Sequence, residues 1–307
     1  MSAKVFIDGA AGTTGLEILE RLSGRGEFEL LVLDDEQRKS AEARRDAYHA
    51  ADFAILCLPD DAAREAVALA EGARVRIIDA STAHRVAPGW TYGFPEIVGR
   101  EAVAGASRVS NPGCYPTGFI ALVAPLVRAG LLPADWPYTC NAVSGYSGGG
   151  KALIQRFEDH PEIAYRTYAL GLGHKHVAEM QALSGLTLAP LFAPSVVPAH
   201  RGMIVEVPLQ LAAMPVAATP EVLRLCLGEF FADSPVVTVR DETPGELLMH
   251  RREDPSDRLT LHVFGSTDGS QARLVAVLDN LGKGASGAAV QSLNLMAGLP
   301  ETAGLQL

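Results

Sequence analysis

The segment that most narrows the fold begins at Lys4. A short β-rich run, Lys4 to Ile7, passes into Asp8-Gly9-Ala10-Ala11-Gly12-Thr13-Thr14-Gly15 and then into an amphipathic stretch with Leu16, Leu19 and Leu22 on one face. Strand, glycine turn and helix, in that order, is the context a dinucleotide fingerprint requires. The glycines read G-x-x-G-x-x-G, a variant of G-x-G-x-x-G in which a turn without side chains lets a pyrophosphate approach the helix N-terminus. Gly9, Gly12, Thr13, Thr14 and Gly15 are therefore candidate cofactor-binding residues. A plain tight turn is the competing explanation.

The alternation continues. Leu30 to Leu33 reads as a second strand, Phe53 to Leu58 as a continuous apolar strand ending at Pro59, and Val75 to Ile78 as another. Asp60-Asp61 cap a helix carrying Ala62, Ala66, Leu69 and Ala70. Buried strands alternating with helices predict an α/β, doubly wound parallel sheet of the Rossmann type. Its cofactor preference is contested within one loop. Asp34-Asp35 lie about 20 residues beyond the fingerprint, where an acid binds the ribose of NAD. Arg38 and Lys39, just after, suit the 2′-phosphate of NADP. Asp79-Ala80-Ser81-Thr82-Ala83-His84-Arg85 is polar and falls at the C-terminal end of a parallel strand, where such sheets bind ligands. Ser81 is a candidate cofactor contact there, and Arg85 has the fork to grip a phosphate. Tyr92 to Glu96 reads as a turn, and Val109 closes a further strand.

Ser110-Asn111-Pro112-Gly113-Cys114-Tyr115-Pro116-Thr117-Gly118 then sets a cysteine between turn-forming residues and the apolar run Phe119 to Val127, which reads as a buried helix. Unpaired N–H groups and the positive dipole end at such a helix start favour thiolate over thiol. A small buried residue is the alternative. Cys57, Cys114, Cys140 and Cys226 lie far apart, without a C-x-x-C pair or clustered ligands, so neither a disulfide framework nor a metal site is expected. The 307 residues, 48% hydrophobic and 20% charged, suit one large or two ordinary domains. A net charge of -10 without a basic cluster argues against nucleic acid. No signal h-region or membrane-length apolar run occurs, which predicts a cytoplasmic protein without a membrane partner.

From Tyr138 the texture changes. Met203 to Leu209, Leu259 to Phe264 and Arg273 to Leu278 alternate apolar with polar and fit antiparallel strands of a second, α+β domain with a mixed, largely antiparallel sheet. The Pro/Ala-rich pieces Leu188 to Ala199 and Ala212 to Pro220 read as connections. Gly145-Tyr146-Ser147-Gly148-Gly149-Gly150-Lys151-Ala152 begins like a Walker A loop, but Ala152 stands where the Mg²⁺-binding hydroxyl belongs. It reads instead as a flexible, N–H-rich wall of an active site. Gly171 to Glu179 opens a helix with Val177, Met180 and Leu183. On it His174 and His176, at i and i+2, point to different faces, unlike an i, i+4 zinc pair. Either can take a proton from a cysteine and return it. Finally a strand passes through Asp279-Asn280 into a small-residue helix expected to return to the first domain.

Taken together, Gly9 to Gly15, S-N-P-G-C-Y-P-T, S-G-x-S-G-x-G-K, G-x-x-H-K-H and N-x-x-K-G-A-x-G resemble the shorter branch of the N-acetyl-γ-glutamyl-phosphate reductases, relatives of aspartate-semialdehyde dehydrogenase. The resemblance implies an NADP-binding Rossmann domain over 1–113 and 283–307, a catalytic and oligomerisation domain over 114–282, and a homo-oligomer, dimer or tetramer. It implies Cys114 as nucleophile and His176 as its acid/base, with His174 as close alternative. It further implies Arg85 on the substrate phosphate and Asn280 on the nicotinamide. Asn111, Ser147 and Arg201 are the remaining substrate-side candidates. The expected reaction is NADPH-dependent reduction of an acyl phosphate in arginine biosynthesis. A sibling semialdehyde dehydrogenase of aspartate or lysine-type chemistry, or a non-catalytic nucleotide-binding regulator, are the alternatives.

Overall fold

The computed structural model describes residues 2–307, and the chain divides into two units, Met1–Pro112 with Ala285–Leu305, and Gly113–Gly284 with Gln306–Leu307. In the first, β1 (Ala3–Asp8), α1 (Thr13–Leu22), β2 (Phe28–Leu31), α2 (Ala41–Ala50), β3 (Phe53–Leu56), α3 (Asp60–Leu69) and β4 (Arg76–Asp79) alternate along the chain. A short β5 (Thr91–Tyr92), two short helices α4 (Pro95–Val98) and α5 (Arg100–Gly105), and β6 (Arg108–Ser110) follow. All six strands are parallel, in the order β2-β1-β3-β4-β6-β5. The chain moves one way from β1 to β2 and then the other way to β3, so the topological switch lies between the ends of β1 and β3, where doubly wound sheets hold ligands.

The period of two within each strand explains why both faces of this sheet are covered. Val5, Ile7, Ile55 and Ile78 turn toward Ile18 and Leu22 of α1, while Phe6, Ala54, Leu56 and Ile77 turn toward Ala47 and Tyr48 of α2 and Ala63 and Ala66 of α3. The first of these layers is completed from far along the sequence. Ala289, Val290 and Leu293 of α10 (Gly287–Met296) pack into it, the return predicted for the C-terminal helix.

Between the two visits of the chain to the first unit come α6 (Cys114–Arg128), β7 (Thr139–Gly145), α7 (Gly150–Asp159), β8 (Arg166–Thr167), α8 (Val177–Ser184), β9 (Leu191–Val197), β10 (Met203–Leu209), α9 (Pro220–Phe230), β11 (Val237–Val239), β12 (Leu259–Gly265) and β13 (Ala272–Leu278). Their sheet runs β11-β12-β13-β10-β7-β9-β8 and is mixed. The three strands predicted as antiparallel pair that way, β10 with β13 and β13 with β12. Helix α6 lies on β10 and β13, apolar all round because twelve of its fifteen residues are buried. A Cβ on Gly118 would stand 2.9 Å from the Val205 side chain, so the helix approaches the sheet closely only because that position is glycine.

Three local expectations are corrected. Leu188 to Ala199 is no mere connection: it contains β9, a strand parallel to β7. Pro194 is tolerated because the ladder with the two-residue β8 ends at Ser195, and at the proline only its carbonyl is used, accepting the Tyr168 N–H at 3.4 Å. Asp60 and Asp61 do not cap α3, whose N-cap is Pro59; they occupy its first turn, where their charge suits the dipole. Tyr92 to Glu96 is no simple turn, since Tyr92 ends β5 and Pro95 and Glu96 open α4. Among the described residues no helix is long and apolar enough to cross a membrane.

Candidate functional site

In the first unit the fingerprint occupies the switch point. Gly9 has φ +88°, and a Cβ there would lie 2.4 Å from the Cys57 carbonyl oxygen at the end of β3. A Cβ on Gly15 would lie 2.5 Å from the Gly9 oxygen, and the Gly12 N–H closes the turn onto that same oxygen at 3.0 Å. Gly12 is the N-cap of α1 and contributes no side-chain cap, so Thr13, Thr14 and Gly15 present first-turn N–H groups with no acidic residue among them. A helix start without a capping side chain and without negative charge fits a dinucleotide pyrophosphate. We expect Gly9→Ala to destabilise the first unit by about 2 kcal/mol or more, since the clash is with backbone and the backbone conformation is left-handed. Urea denaturation checks this.

Beyond β2, Asp34 Oδ1 accepts the N–H groups of Glu36 and Gln37, at 2.9 and 2.8 Å, and so caps a turn of 3₁₀ helix, Gln37–Lys39. Arg38 lies on that turn, 3.1 Å from the exposed Asp35 carboxylate, with Lys39 beside it in sequence. Neither acid nor base was placed by periodicity; the capping role of Asp34 is visible only in the folded loop.

Farther along the sheet, the buried Asp79 carboxylate ends β4. It accepts the Ser81 N–H (2.9 Å), the Ser81 hydroxyl (2.8 Å) and His84 Nδ1 (2.6 Å). Ser81 Oγ in turn accepts the Ala83 N–H, so this hydroxyl works inside its own loop. Arg85 Nε donates to the Asn111 carbonyl at 3.0 Å, and the Asn111 side-chain amide donates to the Ala285 carbonyl at 2.9 Å.

The second unit holds the cysteine. Cys114 is the first residue of α6, after an N-cap, Gly113, without a side chain. Helix N–H groups and dipole favour negative charge at that position. Gly284 presses on it from the far end of the unit: a Cβ there would come within 2.9 Å of Cys114 Cβ. Gly284 lies in a π-helical turn, Gly282–Ser286. The other thiols are poor nucleophile candidates by contrast. Burial, then the charges of Asp79 and Asp8, pushes Cys57 up to about 12, and burial also raises Cys140 and Cys226.

The two histidines precede α8 instead of riding on it, which corrects the reading that they point to different faces of a helix. His176 is the N-cap of α8, and the loop folds so that the two rings meet edge to face, 4.6 Å apart. His174 Nδ1 accepts the His176 backbone N–H at 3.1 Å, so in the neutral ring the proton sits on Nε2. Around them stand Tyr115, 5.9 Å from the His176 ring, Tyr168, 5.6 Å from the His174 ring, and Phe192, 5.0 Å from it. The Tyr168 hydroxyl donates to that of Tyr115 (3.3 Å), which donates to the Ser195 carbonyl (3.3 Å). Burial first, with the Cys114 charge contributing, raises both phenols and keeps them neutral.

Sequence reasoning assigned no role to Glu179, Tyr115, Tyr168, Phe192 or Ser195. Glu179 sits at the third position of α8, the usual place for a capping carboxylate. It is nevertheless buried, and its Oε2 accepts the Gly113 N–H at 3.1 Å, tying the start of α8 to the start of α6. A glutamate three residues after the second histidine was the available signal. Phe192 and Ser195 were hidden because they belong to β9.

A further network surrounds the glycine loop, which forms 3₁₀ helix Tyr146–Gly149 followed by α7. Asn280 donates to Ser147 Oγ and accepts the Gly202 N–H, each at 2.9 Å. Arg201 donates to Asp279 Oδ2 at 2.9 Å. All four side chains are buried, so Ser147, Arg201 and Asn280 act from within a fixed cluster.

Comparison with known proteins bears on both units. The family model described as "Semialdehyde dehydrogenase, dimerisation domain" matches residues 114–280, more than half of the chain, and "Semialdehyde dehydrogenase, NAD binding domain" matches 34–106. An N-acetyl-gamma-glutamyl-phosphate reductase of Rhizobium meliloti is 50% identical, with 96% of this chain and 99% of that protein covered. The N-acetyl-gamma-glutamyl-phosphate reductase 2 of a Nostoc species is 48% identical over 98% of this chain and 99% of that protein. Among solved structures, aspartate semialdehyde dehydrogenase II from Vibrio cholerae superposes with a TM-score of 0.70 at 18% identity, covering 96% of this chain and 98% of that one. The Francisella tularensis aspartate semialdehyde dehydrogenase gives 0.72 at 14% identity, with 96% and 99% covered. These structures establish the fold.

Proposed function

Since the chain belongs to the N-acetyl-γ-glutamyl-phosphate reductase family, we propose that it reduces N-acetyl-L-glutamyl 5-phosphate to N-acetyl-L-glutamate 5-semialdehyde and phosphate, a step of arginine biosynthesis. The observation that carries this reading is Cys114 at the uncapped start of α6, in the unit that also holds the paired histidines His174 and His176.

The Cys114 thiolate attacks the acyl-phosphate carbonyl, N–H groups at the start of α6 stabilise the oxyanion, and the carbon–oxygen bond to phosphate breaks. Arg85 holds the departing phosphate through its guanidinium charge. A thioester on Cys114 remains. The nicotinamide cofactor, when bound, supplies the hydride that reduces this thioester. His176 then protonates the thiohemiacetal oxygen, and on collapse takes that proton back as the thiolate leaves and the aldehyde forms. The bond from its backbone N–H to His174 makes His174 the residue that orients it. Asn111, Ser147 and Arg201 complete the substrate side. Gly9, Gly12, Thr13, Thr14 and Gly15 would hold the pyrophosphate of the cofactor, with the Ser81 loop and Asn280 as the further residues that would contact it.

The cofactor in this reading is NADP. Asp34 is occupied in capping its own turn, whereas Arg38 and Lys39 follow on that turn as cations for a 2′-phosphate. Arg38→Ala combined with Lys39→Ala is expected to raise KM for NADP by about tenfold or more while leaving KM for NAD within about twofold, because only one cofactor carries the phosphate. Steady-state kinetics with both cofactors check this; an equal effect on both returns the preference to NAD. The second unit is proposed to form the contacts of a homo-oligomer, which light scattering tests.

The substrate test runs in the oxidative direction. Purified protein with NADP and phosphate is given the N-acetylglutamate or the aspartate semialdehyde. Turnover of the first compound is expected, and turnover of aspartate semialdehyde alone would overturn the assignment.

A further inference from the structure

Asp79 is fully buried, and its three bonds from Ser81 and His84 come from within five residues, so the loop after β4 is wound around one carboxylate. A buried carboxylate needs such donors, and each donor it recruits fixes part of the loop. The His84 ring is pinned on two sides. Its Nδ1 lies 2.6 Å from Asp79 Oδ2, and its face stacks on Trp90 with ring centres 4.2 Å apart and planes 12° from parallel. A second carboxylate holds the middle of the loop, Asp60 accepting the Thr82 N–H at 2.9 Å and the Thr82 hydroxyl at 2.5 Å. The next residue after His84 is Arg85, whose Nε and Nη2 donate to the carbonyls of Asn111 (3.0 Å) and Ala80 (3.4 Å).

With both imidazole face and nitrogen committed, the backbone at residue 84 has little freedom, and the guanidinium one residue on inherits that constraint. We propose that His84 is a positioning residue that, through its bond to Asp79 and its stacking on Trp90, fixes the Arg85 guanidinium and thereby sets how tightly the protein holds the phosphate group of its substrate. The proposal rests on the reading of Arg85 as the phosphate-binding residue. Asp79 does not itself touch the phosphate: it has no exposed surface, and a carboxylate would repel an anion.

The loop admits a test that separates orientation from mere folding. Asparagine places its amide nitrogen where histidine has Nδ1, and glutamine places its own where histidine has Nε2. His84→Gln therefore keeps the bulk and loses the donor to Asp79, whereas His84→Asn keeps the donor. In the phosphate-dependent oxidation of the semialdehyde, His84→Gln is expected to raise KM for inorganic phosphate about tenfold, with KM for NADP and semialdehyde within about twofold, as for loss of a well-placed charged contact. His84→Asn is expected within about threefold of wild type for phosphate. In an Arg85→Ala background, His84→Gln is expected to add nothing, because residues acting through one contact are not additive.

Equal rises in all three KM values, or an undiminished effect of His84→Gln in the Arg85→Ala background, would overturn the proposal while leaving Arg85 as the phosphate residue. An Arg85→Ala protein with unchanged KM for phosphate would overturn the reading of Arg85 itself, and the role of His84 with it.

Discussion

Cys114→Ser is expected to lower kcat by on the order of 10⁴-fold or more, because a serine hydroxyl is far less acidic than a thiol, is not made an alkoxide by a helix start, and forms no thioester for hydride to reduce. The substitution replaces one small side chain by another at the first position of α6, so Gly113, Glu179 and Gly284 keep their arrangement and cofactor affinity is expected to stay within about twofold. Two measurements separate the possibilities. Stopped-flow or steady-state rates of semialdehyde oxidation report the chemistry, and fluorescence titration of the reduced cofactor reports binding. Mass spectrometry after mixing wild-type protein with the acyl phosphate, in the absence of cofactor, is expected to find one acyl group on Cys114 and none on the serine variant. Retention of a tenth of the wild-type rate by Cys114→Ser would remove covalent catalysis.

His176→Ala is expected to lower kcat by about 10²–10⁴-fold, the usual contribution of a positioned general acid/base. It is also expected to remove from the pH–rate profile the limb that belongs to this acid/base. His174→Ala should cost less, about tenfold, because its Nδ1 holds the His176 backbone while a different ring carries the proton. A reversed ranking, with His174→Ala the more damaging and the pH limb lost only there, would transfer the acid/base role to His174. Both rings pack against Tyr115 or Tyr168, so thermal unfolding of each variant accompanies the kinetics.

What could be read from the chain beforehand followed the rules that act locally. The parallel first sheet was legible because its strands are continuous apolar runs separated by helices, and because Gly9, Gly12 and Gly15 mark a turn whose tightness the Cys57 and Gly9 carbonyls now explain. Strands β10, β12 and β13 announced themselves by alternation, since one of their faces is buried under α6 and α9. β9 did not, because the prolines and alanines of Leu188 to Ala199 suppress the pattern and pairing with β7 and β8 makes the segment a strand. Nor did periodicity reveal that His174 and His176 share one aromatic cluster, for the loop before α8 has no period to read. Glu179 shows the same limit from another side: its position predicts a cap on its own helix, and tertiary packing carries it to Gly113 instead.

The packing of Ala289, Val290 and Leu293 against Val5, Ile7 and Ile55 bears on how the polypeptide emerges during synthesis. Residues 1–112 leave the ribosome with one face of their sheet short of a covering helix, and that helix is not made until the whole of 113–284 has followed. Contacts of such long sequence separation form late and carry a large loop-closure entropy. The first third of the chain thus waits with one face of its sheet covered by α1 but not by α10, exposed there to mispairing and to chaperone capture, and becomes a finished unit only when residues 285–305 arrive.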